Sequence, residues 1–127
     1  MIDDEARKVK ADTLVHMCTR AEWEAARATG QRRPPSLDEA GFIHLSTPRQ
    51  VHLPANRLFA DHDDLVLLWL DPDLLAAPVR WEPGVPTDPA SMRFPHLYGP
   101  LPVAAVTAVT DYRPGRDGVF AEPSPPV

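Results

Sequence analysis

A continuous apolar run, residues 65–70, lies between Asp64 and Asp71. Because it does not alternate with polar residues, this run predicts a strand that is buried on both faces. Shorter apolar patterns at residues 12–17 and 41–46 predict two earlier strands. We expect these three segments to form the centre of the fold.

Two later segments have the character of strands nearer the surface. Residues 78–82 alternate apolar and polar side chains and predict an edge strand, and a proline-rich loop follows at residues 83–93. Small and β-branched residues alternate over residues 103–112 and predict the last strand. The sequence therefore predicts a sheet of about five or more strands.

The first predicted helix has a signal at each end. Thr19 and Glu22 fit a capping box, in which a hydroxyl and a carboxylate satisfy the free N–H groups of the first turn. The helix is predicted to cover residues 20–29, where Gly30 supplies a left-handed stop. Trp23 is expected to pack this helix against the sheet.

The second predicted helix follows a long connection. Residues 31–40 are interpreted as a loop. Thr47 and Pro48 favour a helix start, because proline is tolerated at the first helical position. That helix would continue to Phe59, although Pro54 can kink it or delay its start. Two main helices and about five strands predict the α+β class.

The chain has 127 residues, the usual length of one domain. We expect a single domain over residues 1–121 and a disordered, proline-rich tail over residues 122–127. No apolar run approaches the roughly 20 residues that a membrane span requires. Residues 1–10 are charged and lack the apolar core of a secretory signal. These features predict a soluble cytoplasmic protein that does not contact a membrane.

Charge and cysteine content exclude several kinds of partner and site. The formal net charge is −5, with 13 basic and 18 acidic residues. The basic residues are scattered, which argues against a long nucleic-acid footprint. Cys18 is the single cysteine, so an intramolecular disulfide and a multi-cysteine zinc site are excluded. We expect Cys18 to be a buried, unreactive thiol, and the protein to be a monomer or a weak homodimer.

Three motifs follow one another in an order that is similar to a known superfamily. They are Leu14-Val-His16, Phe42-Ile-His44-Leu-Ser46 and Leu65-Val-Leu-Leu-Trp-Leu-Asp71. This order resembles the NAD-binding lobe of the RNA 2′-phosphotransferases, which have the ADP-ribosyltransferase fold. With Phe94-Pro-His-Leu-Tyr-Gly-Pro-Leu101 added, residues 13–112 also resemble a bacterial family known as domain of unknown function 952.

The resemblance to the transferases implies a split β-sheet, NAD as a substrate and a set of cofactor-binding residues. His16 matches the first-strand histidine that contacts a ribose hydroxyl of NAD. His44 and Ser46 match the second-strand His-Leu-Ser motif. Thr19, or Cys18, would replace the hydroxyl residue of the family.

The sequence departs from the transferases at two places. Met17 stands where those enzymes have a glycine that lets the nicotinamide amide approach the backbone. No glutamate occurs between Phe94 and Tyr112, the stretch in which the catalytic glutamate of ADP-ribosyltransferases usually lies. The phosphotransferase branch also lacks that glutamate and uses arginines, and Arg93 is the only arginine close to this stretch. His96 occupies that stretch here.

The residues themselves suggest roles for the later motif. Phe94-Pro-His-Leu-Tyr-Gly-Pro is interpreted as a rigid turn in which His96 and Tyr98 share a face. His96 would polarise a substrate oxygen, and Tyr98 would bind and cover the ring of the cofactor. Glu82 would orient a histidine or act as a base, or it would pair with Arg80.

Purely structural roles are the alternative to these functional assignments. His16, His44 and His96 are each candidates for structural histidines, and Ser46 is a candidate helix cap. His52 and His62 are expected to be solvated. Trp69 and Trp81 are expected in the core. The three histidines would also suit zinc, but their spacing does not support a site, and no metal is expected.

The leading hypothesis is an NAD- or nucleotide-binding enzyme that transfers or cleaves at the ribose carbon of a nicotinamide nucleotide. His16 and His44 would position the ribose, and the catalytic work would fall to His96 and Glu82. A small molecule or a protein would be the acceptor. The alternatives are a non-catalytic ligand-binding domain of the same fold and a histidine-based metal hydrolase.

Overall fold

The computed structural model describes residues 12–84 and 92–126. The predictions for residues 1–11, for residues 85–91 of the proline-rich loop and for Val127 lie outside this part of the chain. Three α-helices are described: α1 (Arg20–Thr29), α2 (Pro35–Ala40) and α3 (His52–Leu58). The described strands are β1 (Leu14–Thr19), β2 (Gln31–Arg32), β3 (Ile43–His44), β4 (Leu65–Leu70), β5 (Val79–Pro83), β6 (Arg93–Leu97), β7 (Leu101–Pro102) and β8 (Val106–Tyr112).

These strands form three antiparallel sheets, with orders β1-β4-β8, β2-β7 and β3-β6-β5. Strand β4 is central in the first sheet, and all six of its residues are buried. The prediction of a strand buried on both faces is therefore confirmed. The chain has a mixed fold of helices and antiparallel sheets, as the α+β prediction expected at this level.

Helix α1 covers one face of the first sheet. The predicted capping box is present, and Gly30 ends the helix with φ of 90°. A left-handed residue at this position favours glycine, which has no Cβ to oppose it. Trp23 and Ala26 pack there in a cluster with Leu14 and Leu68 of the sheet. The predictions for this helix and for Trp23 are confirmed.

The opposite face of the first sheet packs against α3 and the end of the chain. Trp69, fully buried as predicted, lies there in a cluster with Val51, Ala55 and Phe120. The side chain of Asn56 accepts from the Phe120 N–H and donates to its carbonyl, at 2.8 and 2.9 Å. This double contact holds Phe120 in the core, a role that the sequence pattern did not indicate. Residues 122–126 contain neither helix nor strand.

The segment that includes β3 links the first sheet to the third. Ser46 and Val15 exchange two backbone hydrogen bonds, at 2.8 and 2.9 Å, which attach this segment to β1. On its other side, His44 pairs in register with His96 of β6. One short segment therefore brings β1 and β6 together and positions the site described below.

The structure corrects two predictions in the first half of the chain. Residues 31–40 are not a loop, because β2 and α2 lie within them; Pro35 occupies the first turn of α2, where its missing N–H costs nothing. The second predicted helix begins at His52, and the backbone turns at residues 47–51. Pro54 is at the third helical position, where no intrahelical acceptor is available, so it does not break α3.

Two predictions in the second half are also wrong. Residues 93–97 are strand β6 and not a rigid turn, although Pro95 lies in the middle of the sheet. The carbonyl of Pro95 still accepts from the Leu45 N–H at 3.0 Å, so the proline interrupts the ladder without ending it. Trp81 is not in the core: it is 48% exposed on the edge strand β5, whose position as an edge was predicted.

Among the described residues, no helix combines the length and apolar character needed to cross a lipid bilayer.

Candidate functional site

A cavity of about 340 Å³ opens where β1, β3 and β6 come together. Its wall is mainly apolar, and a few polar groups converge on it, as is usual for a small-molecule site. The residues that matter for its chemistry are His16, Arg32, Phe42, His44, Ser46 and His96. The three histidines that the sequence singled out therefore share one cavity.

His16 lies on β1 with both ring nitrogens engaged. Nδ1 is 2.9 Å from the carbonyl oxygen of His44, which can only accept, so Nδ1 holds the proton. Nε2 accepts from Nε of Arg32 at 3.2 Å. Burial first, and then the positive charge of Arg32, lower the pKa of His16 to about 4. His16 is therefore a neutral ring with no free nitrogen for proton transfer.

Arg32 connects His16 to the start of helix α1. Its guanidinium is 3.5 Å from the carboxylate of Glu22, the acidic member of the capping box. Partial burial raises the pKa of Glu22, but the Thr19 N–H bond and the Arg32 charge outweigh this, and the pKa lies below its usual value. Glu22 therefore keeps its negative charge beside Arg32.

Thr19 was assigned to the cofactor, but the structure places it elsewhere. Its hydroxyl accepts from the Glu22 N–H at 3.1 Å, as the helix cap requires. Thr19 does not line the cavity. The structure therefore places Thr19 at the helix end and outside the cavity lining.

His96 on β6 has a different arrangement from that of His16. Its Nδ1 is 2.8 Å from Oε1 of Glu82, and the same oxygen accepts from the Tyr98 hydroxyl at 2.6 Å. These two hydrogen bonds, that of Tyr98 first, hold the pKa of Glu82 below its usual value. A carboxylate can only accept, so the proton of His96 is on Nδ1. Nε2 makes no hydrogen bond to any residue that the structure describes.

Glu82 and Tyr98 support His96 and do not line the cavity. The bond to Glu82 also raises the pKa of Tyr98, which stays a phenol. Tyr98 is predicted from the sequence to cover a ring in the cavity, but its side chain lies outside the lining and donates to Glu82. The guanidinium carbon of Arg80 lies 4.9 Å from the centre of the Tyr98 ring, a cation–π contact, and the Arg80 charge makes only the last-ranked contribution to the low pKa of Glu82. Of the roles suggested for Glu82, the geometry matches orientation of a histidine.

The side chain of Phe42 holds two of the imidazoles in place. It stacks on His96 with the ring centres 4.0 Å apart and meets His44 edge-on at 5.0 Å. This role of Phe42 is not among the predictions from the sequence. A signal was available, because Phe42 lies two residues before His44 and residues at that spacing in a strand share a face.

His44 and Ser46 line the cavity from the segment that links the sheets. The ring centres of His44 and His96 are 5.5 Å apart. Partial burial, and then the neighbouring His96, lower the pKa of His44, so it is neutral at pH 7. Ser46 is buried and six residues before the start of α3, so it does not cap that helix.

The remaining reactive groups do not extend the site. Burial raises the pKa of the Cys18 thiol to about 11, in line with an unreactive cysteine. His52 was expected to be solvated, but its Nδ1 is buried and has no hydrogen-bond partner among the described residues. His62 packs edge-on against Phe59. Within residues 12–84 and 92–126, no three histidine, cysteine or acidic side chains form a group that could hold a metal ion.

Comparisons with known proteins identify relatives that cover most of the chain. The family model described as protein of unknown function (DUF952) matches residues 17–109. The crystal structure of protein CC0527 from Caulobacter crescentus is 34% identical, with a TM-score of 0.73 over 86% of this chain and 93% of that chain. The solution NMR structure of CC0527 is 38% identical, with a TM-score of 0.68 over 84% and 90% of the two chains. No curated protein matches the sequence.

Proposed function

This chain belongs to the DUF952 family of proteins of unknown function, and from that premise we propose an enzyme that binds NAD or a related nicotinamide nucleotide and cleaves it at the ribose carbon. The ADP-ribosyltransferase-like character of the fold is part of the proposal. One observation supports it above the others: His96 is oriented by Glu82, and its Nε2 has no hydrogen bond to a described residue, in a cavity shared with His44.

The lining of the cavity suits a flat ring joined to a polar group. Phe42, Phe59 and Phe94 supply apolar wall, and the imidazole of His44 supplies hydrogen-bonding capacity for ribose hydroxyls. His16 keeps its place in the proposal as a residue that fixes its neighbours, because neither of its nitrogens is free. This differs from the ribose contact that the family resemblance implies for it.

The arrangement would support hydrolysis of the bond between the ribose carbon and the nicotinamide nitrogen. Nε2 of His96 would take a proton from water while the water oxygen forms a bond to the ribose carbon. The electrons of the breaking bond would leave with nicotinamide, and ADP-ribose and a proton would be the other products. The low pKa values of His16 and His44 keep both rings neutral, so they add no positive charge beside a cation-like ribose.

A second candidate is a nucleotide-binding domain without catalysis. A specific observation favours it: among the described residues, no carboxylate lines the cavity. The late catalytic glutamate usual in ADP-ribosyltransferases has no counterpart in this lining, and Glu82 reaches the site only through His96. The metal-hydrolase alternative gains no support, since no three candidate ligands are grouped in the described part of the chain.

Thermal unfolding with NAD, ADP-ribose and nicotinamide mononucleotide tests binding, because a ligand of the native state raises the Tm. Chromatographic detection of nicotinamide then tests turnover in the wild type and in His96→Asn. His62→Asn is the matched control, because His62 does not line the cavity. We expect release that is lost in His96→Asn and retained in His62→Asn. A Tm increase without release would favour the second candidate, and no Tm increase with any of the three compounds would overturn both.

A further inference from the structure

We propose that Arg32 forms an anion subsite of the cavity and that the natural ligand carries a phosphate group bound there. The identity of the rest of the ligand rests on the proposed function, whereas the anion subsite itself does not. In the sequence, Arg32 is one of two consecutive arginines, with Arg33. Its contact with His16, 16 residues earlier in the chain, is a product of the fold.

The guanidinium of Arg32 lies between two openings. Arg32 lines the main cavity and also a second recess of about 400 Å³ beside helix α1. Its side chain is only 13% exposed. A phosphate bound at this wall would therefore have room for chemical groups on either side of it.

Arg32 has N–H donors that no described residue uses. Nε donates to His16, and Nη2 is 3.5 Å from the Glu22 carboxylate. Nη1 makes no hydrogen bond to any described residue. Arginine presents five N–H donors in a planar fork that matches the oxygens of phosphate, so these remaining donors suit such a group.

The position of Arg32 is fixed before any ligand binds. The His44 carbonyl fixes the tautomer of His16, and Nε2 of His16 then accepts from Arg32. Glu22 restrains the other side of the guanidinium through the helix cap. A donor that is already ordered loses less conformational entropy on binding, which favours affinity.

The charges around the main cavity favour an anion. Arg32 lines it, and no acidic side chain among the described residues does. Glu22 lines the second recess instead, so the side of Arg32 that faces the main cavity has no acidic neighbour in the lining. A negatively charged group would approach from that side.

The test compares nicotinamide mononucleotide with nicotinamide riboside, which differ by one phosphate. We expect the wild type to bind the mononucleotide at least about tenfold more tightly, as hydrogen bonds to a charged group allow. Arg32→Gln should remove this difference, and Arg32→Lys should keep part of it because the charge remains. Arg49→Gln, at an exposed arginine outside the cavity lining, is the matched control and should keep all of it.

Inorganic pyrophosphate is the second probe. Acetate is tested beside it, to compare a carboxylate with a phosphate anion. Pyrophosphate should raise the Tm of the wild type more than acetate does and should lose this effect in Arg32→Gln. If neither nicotinamide compound binds but pyrophosphate behaves in this way, the proposed function fails and the anion subsite stands. Equal binding of the two nicotinamide compounds, or a phosphate preference that persists in folded Arg32→Gln, would overturn the subsite. Failure of pyrophosphate to bind the wild type would also overturn it.

Discussion

His16 and His96 lie in one cavity and have the same tautomer, yet they differ in what their second nitrogen can do. Nε2 of His16 accepts from Arg32, and Nδ1 donates to a backbone carbonyl. His96 donates from Nδ1 to Glu82 and has no partner among the described residues at Nε2. The partners of an imidazole, and not its burial alone, decide whether it can exchange protons with a ligand.

The two histidines also differ in the elements that support them. His16 is on β1 of the first sheet and is tied to a helix cap through Arg32 and Glu22. His96 is on β6 of the third sheet, beneath the ring of Phe42. We therefore expect changes at His16 to affect mainly stability, and changes around His96 to affect mainly function.

The largest expected effect is the loss of stability in His16→Ala. The substitution leaves the His44 carbonyl and the Arg32 Nε–H without their partner and creates a cavity, which together cost about 4 kcal/mol. His96→Ala should cost about half as much, since it removes one hydrogen bond to a half-exposed carboxylate. Urea unfolding of both variants measures the difference, and a larger loss in His96→Ala would contradict the comparison.

The pH dependence of the unfolding free energy is a second test of the structural role of His16. The pKa of His16 is about 4 when folded against 6.5 when unfolded, so the unfolded chain binds the proton more readily. The stabilisation from the neutral ring is present above pH 6.5 and is lost as the pH falls toward 4. A shift of this size corresponds to about 3 kcal/mol across that window.

His16→Asn removes the titrating group, so its stability should depend less on pH than that of the wild type between pH 6.5 and 5. Nitrogen NMR of the imidazoles checks the cause, because it should show His16 still neutral at pH 5. The acidic groups Glu22 and Glu82 have lowered pKa values and contribute at lower pH. Parallel pH profiles for His16→Asn and the wild type would refute the assignment.

The elements with local signals could be predicted from the sequence. The capping box at Thr19 and Glu22, the stop at Gly30 and the buried run of β4 depend on neighbours within a few residues, and each was confirmed. The predictions were wrong at Pro35, which lies in a helix and not a loop, and at Pro95, which lies in a strand and not a turn. A proline restricts its own backbone, but whether this ends an element depends on which N–H groups the fold leaves free.

The site could be predicted only in part. The sequence pointed to His16, His44 and His96 as candidates, and the cavity brings them together. It did not indicate that Arg32 would occupy the second nitrogen of His16, or that Tyr98 would donate to Glu82 and stay out of the cavity. These contacts join residues 16 positions apart in each case, and only the packing of separate strands brings them into range.

A substitution at Glu82 tests whether the activity of His96 depends on its carboxylate partner. Glu82→Gln removes the carboxylate that accepts from Nδ1 of His96 and orients its ring, so nicotinamide release should fall about a hundredfold. The Tm should change less than in His16→Ala. Glu39→Gln, at an exposed glutamate on α2, is the control for the loss of one charge. Full activity in Glu82→Gln would show that His96 needs no carboxylate partner.

The smallest expected effect is at Tyr98, whose hydroxyl acts on His96 through Glu82 and whose ring contacts Phe42. Tyr98→Phe removes the hydrogen bond that contributes most to the low pKa of Glu82, so this pKa should rise. The bond between His96 and Glu82 remains, so we expect nicotinamide release to fall only a few-fold, by about the effect of one hydrogen bond. Carbon NMR of the Glu82 carboxyl group measures the pKa, and Tyr112→Phe, at a tyrosine that donates to Ala121, is the control. If the pKa of Glu82 stays unchanged and activity falls as far as in Glu82→Gln, then Tyr98 acts on the ligand directly. In that case Tyr98 belongs to the residues that contact the ligand and not to those that support His96.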